Sequence, residues 1–588
     1  MPRALLPPPR RFWPLLLVAL ALAAGTDAAA QARRRPVARA STLTGCAGEL
    51  VSAIVIRAHR PSAASAATEV WDKASEISGM HFATTRERVV RAYLQVREGR
   101  ACSEIERRES ERLLRAQPFI ASAAIRVVPD SAGRVRLLVD VVDEVSMVVG
   151  GSISRGTLSA VSVGSQNLEG RGLATVLSMS RGFAYRTGIG LKTVQYGAFG
   201  RPDLIGLDVA REQHGDRLVF EVAQPFLTEL QRSAFHLGAG SVSDLTELMP
   251  PSGDGMAIFT RRAFWNAGMV TRLGTPARGR TVGVLGAIVF GEDIRTGGEV
   301  VVVSDSGLVP VADTVLPGRY PAYGVARMAA IGGVRHLRYL TVDGFDALYA
   351  EQDVGVGVQL GVIAGPSIWA SRGKGDVFMA VDLYTGVGSA ASFYSAHLLS
   401  EVRADQSSHT WSGSVSSARL SWYKHHGYLW TTIATVEGAA VHALSFPAQL
   451  SLRDADGGVR GFGDAAASGG QRAVMRVEQR LRLPPLTPRA ALAVAMFADA
   501  GKIWPGDAPY AVGTPVRAAL GLSLLGAYPS GGKRTLRLDL AVPLNPARGE
   551  SRFEVRLSSS DRTRGIWREP RDVAGLRTGA MPATLLKW

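Results

Sequence analysis

The residues able to do covalent chemistry are sparse in this chain, and they do not assemble into a catalytic pattern. There is no Gly-x-Ser-x-Gly elbow and no His-Glu-x-x-His pair. Gly526 to Lys533 imitates a phosphate-binding loop, but its spacing is off and Arg534 stands where Ser or Thr belongs, so it reads as a turn between strands. His425-His426 has no acidic or Cys partner nearby, so it reads as a loop pair and not as metal ligands. No enzyme activity, metal or cofactor is expected. What stands out is a holding chemistry. Asp456-Gly457-Gly458-Val459-Arg460-Gly461-Phe462-Gly463-Asp464 is a Gly-rich loop with one Arg. An Arg fork closed on a carboxylate makes a directional anchor, and Gly457, Gly458, Gly461 and Gly463 let the backbone turn tightly around it. The alternative is a solvated loop Arg.

Five amphipathic strands follow this loop: Arg472 to Leu481, Ala491 to Ala498, Val516 to Leu525, Thr535 to Leu544, and Arg552 to Leu557. In the fourth, Leu536, Leu538, Leu540, Val542 and Leu544 share one face, while Thr535, Arg537 and Asp539 share the other. A soluble sheet shows this pattern with its apolar side on a core. A membrane barrel shows it inverted, with the apolar side on lipid and the charges in the lumen. A soluble sandwich needs a second layer over so many apolar faces, and no helical layer is evident after residue 145. The expected fold is mainly β: a transmembrane antiparallel barrel of sixteen strands over 146–560, preceded by one small α+β domain over 46–145. Residues 292–322 show no clear strand and read as a long loop.

The bulk composition agrees. The chain has 588 residues, 65 of them Gly, with 46% hydrophobic and 20% charged residues, which suits many strands joined by turns. The net charge of +16 raises nucleic-acid binding, but the basic residues are dispersed and no Lys/Arg block follows residue 36, so no nucleic-acid partner is expected. Arg3, Arg10 and Arg11 precede an apolar stretch, Phe12 to Ala24, and small residues at Ala28-Ala29-Ala30: a secretory signal over 1–30. An Arg-, Ala- and Pro-rich linker follows over 31–45. Two Cys, Cys46 and Cys102, favour a disulfide in an exported chain, contributing ~4 kcal/mol in the chain-entropy model; two free thiols are the alternative.

The small domain reads as strand, helix, helix, strand, strand. Val51 to Arg57 opens it, and Val70 to Ile77 reads as an additional short helix. Thr84-Thr85-Arg86-Glu87 and Ser103-Glu104-Ile105-Glu106 both fit capping boxes, with Gly99 ending the first helix and Pro118 following the second. Ala124 to Val128 and Val135 to Val142 close the unit.

That order, with Ser110-Glu111-Arg112-Leu113-Leu114-Arg115 and Phe119 before the closing strands, resembles a POTRA domain, the periplasmic polypeptide-binding module of BamA-, TamA- and FhaC-type outer-membrane proteins. Three further motifs resemble the same superfamily. They are the turn Asn167-Leu168-Glu169-Gly170-Arg171-Gly172, the loop Val459-Arg460-Gly461-Phe462, and the strand Phe497-Ala498-Asp499-Ala500-Gly501. The resemblance implies that the loop folds into the lumen and that Arg460 meets Asp499. It implies an outer-membrane location with the small domain in the periplasm. It also implies lipid, unfolded client polypeptides and periplasmic accessory proteins as partners, and insertion or translocation of those clients. A two-partner-secretion transporter and a passive pore or surface-antigen barrel are the alternatives. The chain departs from the family in its tail, 561–588, which reads either as periplasmic or as a sign that the final strand is misplaced; Trp588 supplies a terminal aromatic.

Overall fold

The computed structural model describes residues 45–588 apart from 61–82, 155–156, 182–186, 212–214, 250–254, 275–280, 305–306, 314, 409, 464–466, 485–489, 529, 548–549, 562–567, 580–584 and 586–588. The signal segment, nearly all of the linker, the helix expected over Val70 to Ile77, Asp464 and Trp588 lie outside the described residues.

The N-terminal unit comprises β1 (Val51–His59), α1 (Glu87–Arg91), α2 (Glu104–Arg115), β2 (Ile120–Pro129) and β3 (Val135–Asp143). Its sheet runs in the order β1-β3-β2, with β1 parallel and β2 antiparallel to β3. Alternation along β3 buries Leu137, Val139 and Val141 against Val89 and Val90 of α1 and Leu113 and Leu114 of α2. Cys46 and Cys102 are bonded. Neither capping box forms. Thr85 is drawn away to Asp143, α1 begins after Arg86, and no side chain caps it. At α2, Ser103 stands at the N-cap but makes no side-chain cap bond, and Glu104 in the first turn is held by Arg107 and Arg108. Gly99 sits in a later turn, since α1 already ends at Arg91.

Both sheet edges are occupied by side chains. At Ile54 on the β1 edge, the amide donates to Glu98 (3.0 Å) and the carbonyl accepts from Arg91 (3.2 Å). At Ile125 on the β2 edge, the amide donates to Glu111 (2.7 Å) and the carbonyl accepts from Arg107 (2.7 Å). Each Glu–Arg pair supplies what a neighbouring strand would.

From Met147 the chain enters a closed barrel that ends with Glu554–Asp561. Among the described residues the ring holds twenty full strands, not sixteen, plus a short segment, Gly307–Val311, that extends the Val282–Ser304 strand as a hairpin. The stretch 292–322 is therefore largely strand, followed by the short helix Val315–Arg319. Two further strands, Met256–Leu273 and Tyr323–Asp343, carry Arg, Gly and His between their apolar residues and show no clean alternation in sequence. Several strands exceed the ~9–11 residues needed to cross a bilayer, so this wall stands taller than the hydrocarbon it faces.

The strand Arg534–Pro543 decides which way the wall faces. Leu536, Leu538, Leu540 and Val542 are 43–53% exposed, whereas Thr535, Arg537 and Asp539 are 2–5% exposed. Charges inside and leucines outside would be a wasteful inversion in water; in lipid it is the stable arrangement. Aromatics mark both ends of this belt: Trp411 and Trp504 towards one mouth, Tyr428 and Trp430 towards the other.

The small domain docks on the mouth where the chain enters. Arg115 forks onto Asp353 (2.9 and 3.0 Å), Thr228 donates to Glu109 (2.7 Å), and Arg112 lies 4.1 Å from the centre of the Tyr339 ring. The turn that imitated a phosphate-binding loop meets the same surface: the Lys533 amide donates to Glu144 (2.9 Å), and its ammonium reaches the carbonyls of Arg115 and Gln117. The described part of the segment after the last strand is neither external nor a displaced strand. Its helix α3 (Arg571–Leu576) and the residues around it lie within the lumen.

Candidate functional site: a latched loop in the barrel lumen

The stretch 443–470 leaves the wall after Trp430–His442 and folds back inside. A short ribbon, Leu450–Ser451 with Ser468–Gly469, gathers its ends. A single helical turn at Asp454–Asp456 then stops at Gly457, whose φ of +88° is open to Gly and strained for other residues. Arg476 on the wall donates to the carbonyls of Gly457 (2.6 Å) and Gly458 (2.7 Å) and holds this reversal.

The reversal delivers Arg460 to Asp499. Its Nε donates to Oδ2 (2.7 Å), Nη2 to Oδ1 (2.7 Å), and its backbone amide to Oδ2 (3.3 Å). Nη1 donates to Glu478 (3.1 Å), and the guanidinium lies 3.6 Å from the centre of the Phe497 ring. Period-2 alternation explains why three residues of one strand serve this loop: Phe497, Asp499 and Gly501 all point inward from Ala491–Trp504. Phe497 offers its π face to the cation, Asp499 its carboxylate, and Gly501 its lack of a side chain. A Cβ on Gly501 would lie 2.6 Å from Val459 Cγ2. Val459 and Phe462 are buried with Leu452, Val474 and Ile503, so an apolar cluster flanks the ion pair. Gly461, at φ +89°, passes close to Ala541 and Pro543.

Glu478 was not singled out in the sequence. It accepts from Arg460, Arg480 (3.0 Å) and Arg537 (2.7 Å), and Arg537 also pairs with Asp539 (2.6 Å). The signal was present: Arg472, Arg476, Glu478, Arg480 and Arg482 fall on alternate positions of one strand and therefore on one face. A site so charged and so buried fixes a loop; among the described residues it presents no metal-ligating cluster.

The turn at 167–172 is separate from this latch and does another job. Asn167 Nδ2 donates to Thr85 Oγ1 (2.7 Å), while its Oδ1 accepts from the Gly172 amide (2.7 Å). Thr85 in turn donates twice to Asp143, from its amide and its hydroxyl (both 2.7 Å), and the Arg86 amide donates to the Gly170 carbonyl. A Cβ at Gly170 would sit 2.0 Å from the Thr84 carbonyl oxygen. The turn is the joint between small domain and barrel. Burial pushes the Asp143 carboxyl up to about 6 against the pull of the two Thr85 bonds. His425 and His426 point to opposite faces, His425 stacked on Phe345 and bonded to Thr431, His426 bonded to Thr432.

No family model matches the chain, and no curated protein matches it in sequence. Solved structures similar to it include BamA from Haemophilus ducreyi lacking POTRA domains 1–3, at 11% identity and TM-score 0.35, covering 87% of this chain and 85% of that one. CdiB from Escherichia coli is similar at 12% identity and TM-score 0.37, covering 89% and 92%, and CdiB from Acinetobacter baumannii at 11% and 0.34, covering 87% and 74%. These superpositions are loose, and the architecture rests on the strand pairing of the chain itself. On that pairing the chain is a closed antiparallel β-barrel with an α/β domain docked at one mouth and a lumenal loop latched by Arg460 to Asp499.

Proposed function

We propose that this chain is an outer-membrane barrel of the BamA, TamA and FhaC type, which inserts or translocates other polypeptides without enzymatic chemistry. The observation that carries the reading is the latch. A Val-Arg-Gly-Phe loop folded into the lumen and forked onto the Asp of a Phe-x-Asp-x-Gly strand is a costly arrangement for a simple pore, which needs no buried ion pair in its channel. The apolar outer face supports a membrane location. The small domain, POTRA-like in its order of elements, would stand in the periplasm and take an extended client at a sheet edge. Because Glu–Arg pairs already fill both edges at their centres, the client must exchange with them.

Depletion tests the reading. On loss of the chain, either other barrels fail to assemble in the outer membrane or a secreted partner disappears from the medium. Normal barrel assembly together with an unchanged secretome refutes it. Loss of small-solute uptake as the sole effect would identify a passive pore.

A further inference from the structure

The segment beyond the last strand is held inside the barrel by a set of contacts that the latch does not explain. Arg577 donates to the main-chain carbonyls of Leu399 (2.8 Å) and Val415 (3.1 Å) and to Ser417 Oγ (2.9 Å). Thr578 follows, its amide donating to Glu401 (3.1 Å) and its hydroxyl to Glu292 (2.8 Å). Nearer the latch, Asp572 accepts a fork from Arg472 (2.5 and 3.0 Å), and Val573 is fully buried against Val415, Val441 and Leu450. Leu585 is fully buried farther on, in the cluster that includes Phe226, Phe290 and Phe378.

We propose that the described part of this segment, 569–579, is a removable plug, seated in a socket of the lumen wall that binds a short peptide bearing both charge signs, a helical turn followed by Arg577 and Thr578. Two features make it removable. Its described residues pair with no barrel strand, so leaving breaks no ladder hydrogen bond of the wall. Part of the socket also stays compensated when empty: Glu292 retains Arg327 (2.9 Å) and Arg403 (3.2 Å), and Arg327 retains Asp376 (2.7 Å), whereas Glu401 gives up Arg577 and Thr578 and Arg472 gives up Asp572, which sets the cost of release. An emptied socket therefore holds no stranded carboxylate at Glu292, whose loss of partners would otherwise oppose release. One feature makes it a plug. The space between it and the wall near Lys192, Arg217 and Glu221 is a cavity of about 260 Å³, room for roughly nine waters and too small for a polypeptide. The inference concerns the conduit and stands whether or not the barrel handles polypeptides.

The test is conductance of the full chain in planar lipid bilayers. Asp572→Asn with Arg577→Ala, which removes both charged holds, should raise the open probability about tenfold or more, the scale of a modest population shift. In that background a Val441→Cys/Val573→Cys pair should close the pore when oxidised and reopen it when reduced. A synthetic peptide spanning 569–579 should lower the conductance of the double variant, and the same peptide carrying Arg577→Ala should not. A double variant that shows the heat-dependent gel migration of an assembled barrel but conducts like the parent overturns the plug. A raised conductance that neither the oxidised bridge nor the peptide lowers overturns the socket.

Discussion

Removing Arg460 should do more harm than removing its partner, and the structure says by how much. Asp499 accepts three hydrogen bonds, all from Arg460, and among the described residues no other side chain bonds it. Arg460→Ala leaves that carboxylate buried at 2% exposure. Truncating one member of a buried pair costs ~3–5 kcal/mol; with water admitted to the lumen about 2–4 kcal/mol is the working range. At about 1.4 kcal/mol per tenfold, the loop-open population rises ~30- to 1,000-fold. Asp499→Asn is milder, about 1 kcal/mol, because Arg460 keeps Glu478, the Phe497 face and an amide oxygen. Arg460→Ala/Asp499→Ala strands no charge and should recover at least about 1 kcal/mol of the single-variant loss. Hydrogen exchange read by mass spectrometry over 450–463, in micelles or nanodiscs, reports the opening directly. Protection in Arg460→Ala equal to the parent, or a double variant as labile as Arg460→Ala, refutes the reasoning.

Other perturbations test the geometry around the latch and the joint. Gly501→Val should expel Val459 and deprotect the same loop peptides while the barrel stays assembled, and Gly501→Ala should be rescued in part by Val459→Ala. Gly170→Ala places a methyl against the Thr84 carbonyl at φ +68°, a strain of ~1–3 kcal/mol, and should raise exchange at 84–86 while leaving loop 450–463 protected. Asp143 titrates higher in the folded domain than in the unfolded chain. The folded state therefore binds the extra proton between pH ~4 and ~6, and stability falls as pH rises through that window, by up to about 3 kcal/mol at about 1.4 kcal/mol per unit. Amide exchange of the small domain, followed from pH 4 to 7, should show that loss, and Asp143→Asn should flatten it.

The order of elements in the small domain, the barrel and the last five strands were all legible, because period-2 alternation and turn residues are local signals. Gly501 was legible as part of a motif but not as space, since only the docked loop shows what a Cβ would strike. Strand number was not legible. Met256–Leu273 and Tyr323–Asp343 face lipid, lumen and packed tail at different heights, and that variety erases the alternation that marks a simple wall strand. The first capping box failed because Thr85 is bonded to Asp143 across the fold and the helix begins only at Glu87, which no local spacing reveals. The segment beyond the last strand was unreadable for a related reason: Arg577 and Thr578 gain their meaning from carbonyls and carboxylates more than 150 residues away.

The Glu–Arg pairs on the sheet edges of the small domain turn affinity into a difference. A strand that adds at Ile54 or Ile125 does not find open hydrogen-bonding groups; it replaces a resident that already satisfies both. That exchange discriminates against chance encounters, since a short or ill-fitting segment gains nothing over the side chains it displaces. It also makes the edge an ionic-strength gauge. The Arg91–Glu98 pair is half exposed and yields to salt, whereas Arg107–Glu111 is more buried and is screened less. Under the proposed function, the two edges of one small sheet would offer a client a loosely guarded and a tightly guarded berth, with salt shifting the preference between them.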